Sequence, residues 1–245
     1  MKINEIYSPN YNKRKRTKEL IKFIVIHYTG MQSERESLKR LCSIKSKVSS
    51  HYLINKKGKI YRLVKDKDIA WHAGKSYWRK YKNLNNKSIG IELVNKGHQF
   101  GYENFSNKQI LNLLKLCTIL IAKYKIKKEN VVGHSDIAPL RKTDPGEKFP
   151  WEYLAKKRIG VWHNYKSSFL KRLRKIKISN KEDIRYFIKN LNKIGYYINY
   201  KNKFFFFKVV KAFQRHFRKE LINGFLDQEC LIISENLRKK LKKNP

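Results

Sequence analysis

The order of patterned segments predicts an α/β fold with a mixed central β-sheet flanked by helices, followed by a small three-helix unit. Three observations carry this expectation. Short β-branched runs at 21–26 and 89–94 read as buried strands. Amphipathic helical stretches alternate with them, which places helices against a central sheet. Beyond a basic stretch at 164–177, only helical periodicity remains.

Each element has a local reason. The run 21–26 is short and apolar and delivers His27 at its C-terminal end. Ser33 followed by Glu36 is a capping box that opens a helix to about residue 44. Residues 51–55 and 59–64 alternate around Lys56-Lys57-Gly58, the pattern of a hairpin. Strand 89–94 carries Glu92 between Ile91 and Leu93. Ser106 and Gln109 form a second capping box, after which Ile110, Leu113, Leu114, Cys117 and Ile121 fall at helical spacing. Val131 and Val132 make a brief strand ending in Gly133-His134, and 135–150 has the Pro, Gly and Asp content of an ordered loop. The basic stretch 164–177 is a linker or a short connecting helix. Asn180 with Asp183 caps a helix whose stripe is Ile184, Phe187, Ile188 and Leu191, and Gly195 stands where its C-terminal cap belongs. Val209, Val210, Phe213 and Phe217 mark a second helix, with the Phe run 204–207 as core or as the start of that helix, and 227–241 makes a third. The expected units are therefore 1–163 and 178–245.

A chain of 245 residues can bury one sizeable core and a second, smaller one. Hydrophobic content of 41% excludes global disorder despite the charge. The 58 Lys and Arg against 19 Asp and Glu give a formal charge of +39, which by itself suggests nucleic acid. Lysine is spread over nearly every segment together with Asn, Ile, Tyr and Phe, the mark of a codon bias, so no dedicated nucleic-acid binding is expected. A basic surface also suits an anionic cell wall or membrane. No apolar run reaches the roughly 20 residues of a transmembrane segment, and the visible start lacks the apolar core of a signal peptide. Cys42, Cys117 and Cys230 are too few and too scattered for a disulfide framework, and Cys117 reads as a core residue of its helix.

A hydrolytic zinc site needs three ligands from His, Cys, Asp and Glu, with a fourth position left to water. His27 and His134 each close a strand, and Asp144 lies in the loop after His134, so these three are the candidates. Spacing alone does not separate a ligand from a hydrogen-bonded structural histidine, because no local H-E-x-x-H helix is present. Lys142 precedes Asp144 by two residues, which in an extended loop places both side chains on one side.

Five segments occur in a fixed order: Ile24-Val25-Ile26-His27-Tyr28-Thr29, Val48-Ser49-Ser50-His51-Tyr52-Leu53-Ile54, Ala70-Trp71-His72-Ala73-Gly74, Ser88-Ile89-Gly90-Ile91-Glu92-Leu93 and Gly133-His134-Ser135-Asp136-Ile137-Ala138-Pro139. Over about residues 6–155 this resembles the type 2 N-acetylmuramoyl-L-alanine amidases, which share their fold with peptidoglycan recognition proteins. Ser8-Pro9-Asn10 resembles the branch in which a peptidoglycan-binding module follows the amidase. The resemblance implies hydrolysis of the amide between N-acetylmuramic acid and L-alanine in peptidoglycan or muropeptides. It implies one Zn2+ ion held by His27, His134 and Asp144, Glu92 as general base and acid, and Lys142 as oxyanion stabiliser. Tyr28, His51, Trp71, His72 and Arg141 follow as substrate-binding residues, with Arg141 suited to a carboxylate. Leu140 stands where members of the family often carry Gly. The C-terminal unit resembles a three-helix peptidoglycan-binding domain through Gly195-Tyr196 and the segment 210–217. Its loop glycines are few, which implies reduced wall affinity.

A non-catalytic peptidoglycan recognition protein is the alternative, and a nucleic-acid-binding protein a third reading. A lysozyme-like glycosidase is disfavoured, since Glu92 has no acidic partner in its segment. A monomer is expected. The resemblance implies the periplasm or outer membrane, whereas the visible N-terminus implies the cytosol.

Overall fold

Stiff β-branched side chains favour extended backbone, and the run Phe23–Tyr28 becomes the strand on which the molecule is organised. The computed structural model describes residues 2–13, 16–199 and 202–242; Met1 and 243–245, the outer ends of the two expected units, lie outside them. In chain order the elements are β1 (Ile3–Glu5), β2 (Tyr11–Asn12), β3 (Phe23–Tyr28), α1 (Glu34–Cys42), β4 (Tyr52–Ile54), β5 (Ile60–Arg62), β6 (Ile69–Ala70), β7 (Tyr77–Trp78), β8 (Tyr81–Lys82), β9 (Ser88–Leu93), α2 (Asn107–Tyr124) and β10 (Val131–Gly133). Then follow α3 (His134–Ile137), α4 (Trp151–Lys156), α5 (Ser167–Leu173), α6 (Lys181–Ile194), α7 (Lys203–Phe217) and α8 (Gln228–Lys242).

The main sheet has the order β1-β5-β4-β9-β3-β10. β3 lies parallel to both β9 and β10, and β4 pairs parallel with β9 and antiparallel with β5, so the sheet is mixed as expected. The expected hairpin is the β4–β5 pair, shorter at both ends than its alternating pattern. β3 begins two residues later than the apolar run suggests and includes His27. Three N-caps form where expected: Ser33 accepts from the Glu36 N–H at 3.1 Å, Ser106 from Gln109 at 3.1 Å and Asn180 from Asp183 at 2.8 Å. The return half of the two expected capping boxes does not form, since Glu36 accepts from the Gln32 N–H and the Gln109 amide donates to the Ile54 and Val94 carbonyls. α1 stops at Cys42 rather than near 44, because Ile44–Ser46 tightens into a 3-10 turn. The basic stretch contains the short helix α5.

Side chains alternate across β3. Ile24 and Ile26 face α2 with Ile89, Ile91, Leu113 and Cys117 in one core. Phe23 and Val25 face the other way, with Val132, into a core that continues through Phe187, Leu191, Val209 and Phe213 of α6 and α7. The C-terminal helices therefore complete the second layer over the sheet. Trp78 meets Tyr196 edge-on at 4.8 Å, and the Arg79 N–H donates to the Gly195 carbonyl at 2.7 Å.

Candidate metal centre and active site

Parallel pairing places His27 directly beside Glu92, and Gly133 beside Ile26, so β9, β3 and β10 end together and present His27, Glu92 and His134 at one rim. The loop after α3 folds back to the same place, where the Ser135 N–H donates to the Asp144 carbonyl at 2.8 Å. His27 Nδ1 lies 2.9 Å from His134 Nδ1 and 3.0 Å from Asp144 Oδ2, and His134 Nδ1 lies 3.1 Å from the same oxygen. All three residues are buried.

The outer nitrogens decide what these atoms are. The Ser88 hydroxyl donates to the Leu84 carbonyl at 2.6 Å, so its oxygen accepts from His72 Nε2 at 3.1 Å. His72 Nδ1 is then an acceptor and takes the His27 Nε2–H at 3.0 Å. His134 Nε2–H donates to the Ala73 carbonyl at 3.2 Å. Both Nδ1 atoms are thereby left as lone pairs, facing each other and a carboxylate with no proton between them. Burial, reinforced by the His134 ring beside it, lowers His27 to about 4, so its ring is neutral. Burial alone would raise the Asp144 carboxyl, but His134 and His27 hold it well below the usual carboxylate range. Three converging acceptors are what a cation requires. Their separations of 2.9–3.1 Å lie a few tenths of an ångström inside the edge, roughly 3.3–3.6 Å, of a tetrahedron with bonds of about 2.0–2.2 Å.

Glu92 stands beside this group with Oε2 buried and without a hydrogen-bond partner among the described residues. Burial, with the Asp144 charge close by, pushes its carboxyl up to about 8. Such a displaced carboxyl is in the range that general acid–base work at neutral pH uses.

A cavity of about 280 Å³ opens over these groups. His27, Glu92, His134, Lys142 and Asp144 all line it, with Tyr28, Trp71, His72 and Arg141.

Residues 16–147 match the family described as N-acetylmuramoyl-L-alanine amidase. N-acetylmuramoyl-L-alanine amidase AmiD of Escherichia coli (strain K12) is 40% identical over 238 residues, covering 90% of this chain and 83% of that protein. The chain belongs to the N-acetylmuramoyl-L-alanine amidase family. The amidase is also similar to solved structures. The complex of Escherichia coli AmiD with the substrate anhydro-N-acetylmuramic acid-L-Ala-D-gamma-Glu-L-Lys has a TM-score of 0.79 and 36% identity, with 94% of this chain and 93% of that one covered. AmpDh3 of Pseudomonas aeruginosa gives a TM-score of 0.79 and 32% identity, with 96% and 98% covered. The expected enzyme class, an N-acetylmuramoyl-L-alanine amidase, is that of the chain, and its mixed sheet between helices is the fold of these relatives.

Within the amidase cavity the substrate-binding candidates differ in what they have to offer. The Tyr28 hydroxyl lies 3.0 Å from the Thr143 hydroxyl and 2.8 Å from His98 Nδ1, which fixes the ring at the rim. The Trp71 indole N–H donates to Asn12. Arg141 spends Nη2 and Nε on the carbonyls of Ala73 and Lys75, and its Nη1 makes no hydrogen bond among the described residues. His72 is committed to His27 and Ser88, so it orients the His27 ring. Its ring lies across β9, where a Cβ on Gly90 would come within 2.4 Å of it. His51 is fully buried outside the cavity, where its Nδ1 accepts the Gly90 N–H at 3.0 Å and its Nε2 meets Arg16. It supports β9 and does not line this cavity. Leu140 is exposed on the loop and does not line the cavity.

Three residues the sequence did not single out hold the site together. Ser88 and Ala73 fix tautomers through a hydroxyl and a backbone carbonyl. Asp136 accepts the Gly133 N–H at 2.7 Å immediately before His134. Only Asp136 carried a signal, a carboxylate two residues beyond the candidate ligand His134.

Proposed function

We propose that this amidase uses one zinc ion, held by His27, His134 and Asp144, to cleave the bond between N-acetylmuramic acid and L-alanine in peptidoglycan or its fragments. The observation that carries this reading is the meeting of His27 Nδ1, His134 Nδ1 and Asp144 Oδ2 within 2.9–3.1 Å, with both remaining ring nitrogens committed as donors. Zinc in such a site supplies Lewis-acid polarisation and lowers the pKa of water toward about 7. Glu92 takes the proton of the attacking water and returns it to the leaving L-alanine nitrogen. Its raised carboxyl and unpartnered oxygen suit it to both tasks. Lys142, which has no ion-pair partner among the described residues, faces the same cavity and stabilises the negative charge that develops on the carbonyl oxygen.

Tyr28 and Trp71 form the rim against which the muramyl peptide lies, and Arg141 Nη1 meets a stem-peptide carboxylate. Two relatives similar over nearly the whole chain have been solved with anhydromuramyl peptides, which supports a muropeptide as substrate. The unit 178–245 adds wall contact to the catalytic unit 1–163, and the protein acts as a monomer. A groove of about 1100 Å³ lies between them at the far end of the sheet and is lined by Lys22, Lys80, Lys125, Lys193, Tyr77 and Tyr197. Its charge suits an anionic glycan without a dedicated nucleic-acid role.

Metal analysis of purified protein is expected to give one zinc per chain. Mass spectrometry of treated muropeptides is expected to show free stem peptide and peptide-free muramyl sugar. Bound zinc with intact muropeptides would instead establish a non-catalytic recognition protein.

A further inference from the structure

The Asp136 carboxylate is 1% exposed and fully engaged. Oδ2 accepts the Gly133 N–H and His216 Nδ1, each at 2.7 Å, and Oδ1 accepts the Tyr196 hydroxyl at 2.6 Å. Gly133 belongs to the strand end that delivers His134. Tyr196 and His216 belong to the C-terminal helices, just past α6 and on α7. The His216 ring stacks on Trp151 at 3.9 Å, and a Cβ on Gly133 would come within 3.2 Å of the same indole. The C-terminal unit therefore reaches the backbone beside a ligand through charge-assisted hydrogen bonds that are shielded from water.

We propose that Tyr196 and His216 are positioning residues of the metal centre. Through Asp136 they fix the Gly133–His134 backbone, and with it the direction of the His134 ring. This rests on the reading of His27, His134 and Asp144 as metal ligands. A unit that only docks on the wall would need no such contact. Here the helices that complete the core also complete the support of a ligand, and removing groups that orient a metal ligand typically costs about 10- to 100-fold in metal affinity.

The test uses full-length protein carrying Tyr196→Phe and His216→Phe together, which keeps both aromatic rings in place and removes both donors. Zinc affinity measured by chelator competition is expected to fall about 10- to 100-fold, and the cobalt-substituted form is expected to change its visible absorption. His216→Asn, which returns a donor near the Nδ1 position while giving up the stack on Trp151, is expected to recover most of the affinity relative to His216→Phe. Phe187→Leu in α6 serves as the control, a core change that removes none of the Asp136 hydrogen bonds and is expected to lower the melting temperature. Unchanged zinc affinity in the double variant, or equal zinc loss in the control, overturns the proposal. If the wild type itself bound no zinc, amide exchange over 133–144 would decide. Faster exchange in the double variant than in Phe187→Leu would uphold the coupling and sink the metal reading, and equal exchange would sink both.

Discussion

Glu92 is the residue at which function and stability conflict most directly. A carboxylate with a buried, unpartnered oxygen costs the fold roughly 1–3 kcal/mol and is kept only if it does something. Glu92→Gln fills the same space without the charge or the basic site. It is expected to lower kcat about 100- to 10,000-fold, to leave bound zinc in place and to leave the melting temperature equal or higher. Steady-state kinetics, metal analysis and thermal denaturation check the three parts, and zinc lost together with activity would mean that Glu92 belongs to the ligand set. His27, His134 and Glu92 were legible because each closes, directly follows or occupies a strand inside a recognisable segment, and Asp144 because it lies in the loop that follows His134. The commitment of His72 to His27 was not, because the tautomer relay runs through a serine hydroxyl and depends on three residues distant in sequence. The burial of His51 likewise follows from its N–H···N contact with β9, which no local pattern encodes.

Elements are held by contacts of two kinds, and each kind yields an expectation. Asp66, between β5 and β6, accepts the hydroxyls of Tyr52 on β4 and Tyr124 at the end of α2, each at 2.6 Å, and Lys123 Nζ at 3.0 Å. Burial raises its carboxyl, but the hydrogen bonds from Tyr124, Tyr52 and Lys123 outweigh that and leave it below its ordinary value. A depressed carboxyl stabilises the fold above the unfolded pKa of about 3.9 and loses that contribution as pH falls through the folded value. Denaturant titrations of Asp66→Asn are expected to show a loss of about 1–3 kcal/mol at pH 7 that shrinks toward pH 3. A loss independent of pH would show that the hydrogen bonds, not the charge, carry the effect. Gly195 ends α6 at φ 142, and a Cβ there would lie 2.4 Å from Trp78 Cε2. Gly195→Ala is expected to cost about 3 kcal/mol, read as a lower denaturation midpoint at constant slope. A cost below about 1 kcal/mol would mean that the Trp78 joint can shift. The sequence placed this glycine as a helix cap, which it is, but the indole against it comes from a strand that alternation over two residues cannot announce.

At the level of the whole chain, two units separated by a basic stretch suggested two independent cores, and the structure joins them. Helical periodicity marks which face of α6 or α7 is apolar without saying what covers it, and β3 is apolar on both faces, which a parallel central strand requires in any case. Phe23, Val25, Val132 and Ile137 are at most 2% exposed, and the core they share is filled by Phe187, Leu191, Val209 and Phe213. At about 1.5–3 kcal/mol for each large apolar side chain, uncovering four of them rivals the 5–15 kcal/mol by which whole domains are stable. A chain ended at residue 163 is therefore expected to aggregate or to bind a hydrophobic dye strongly, with weakened cooperativity on heating, even though the α2 face of the sheet keeps its own core. Light scattering and calorimetry of that fragment beside the full chain measure the difference. A monomeric 1–163 fragment that unfolds cooperatively and binds zinc as tightly as the full chain would show that the C-terminal helices are a separable module, and would remove the physical basis for coupling them to the metal centre.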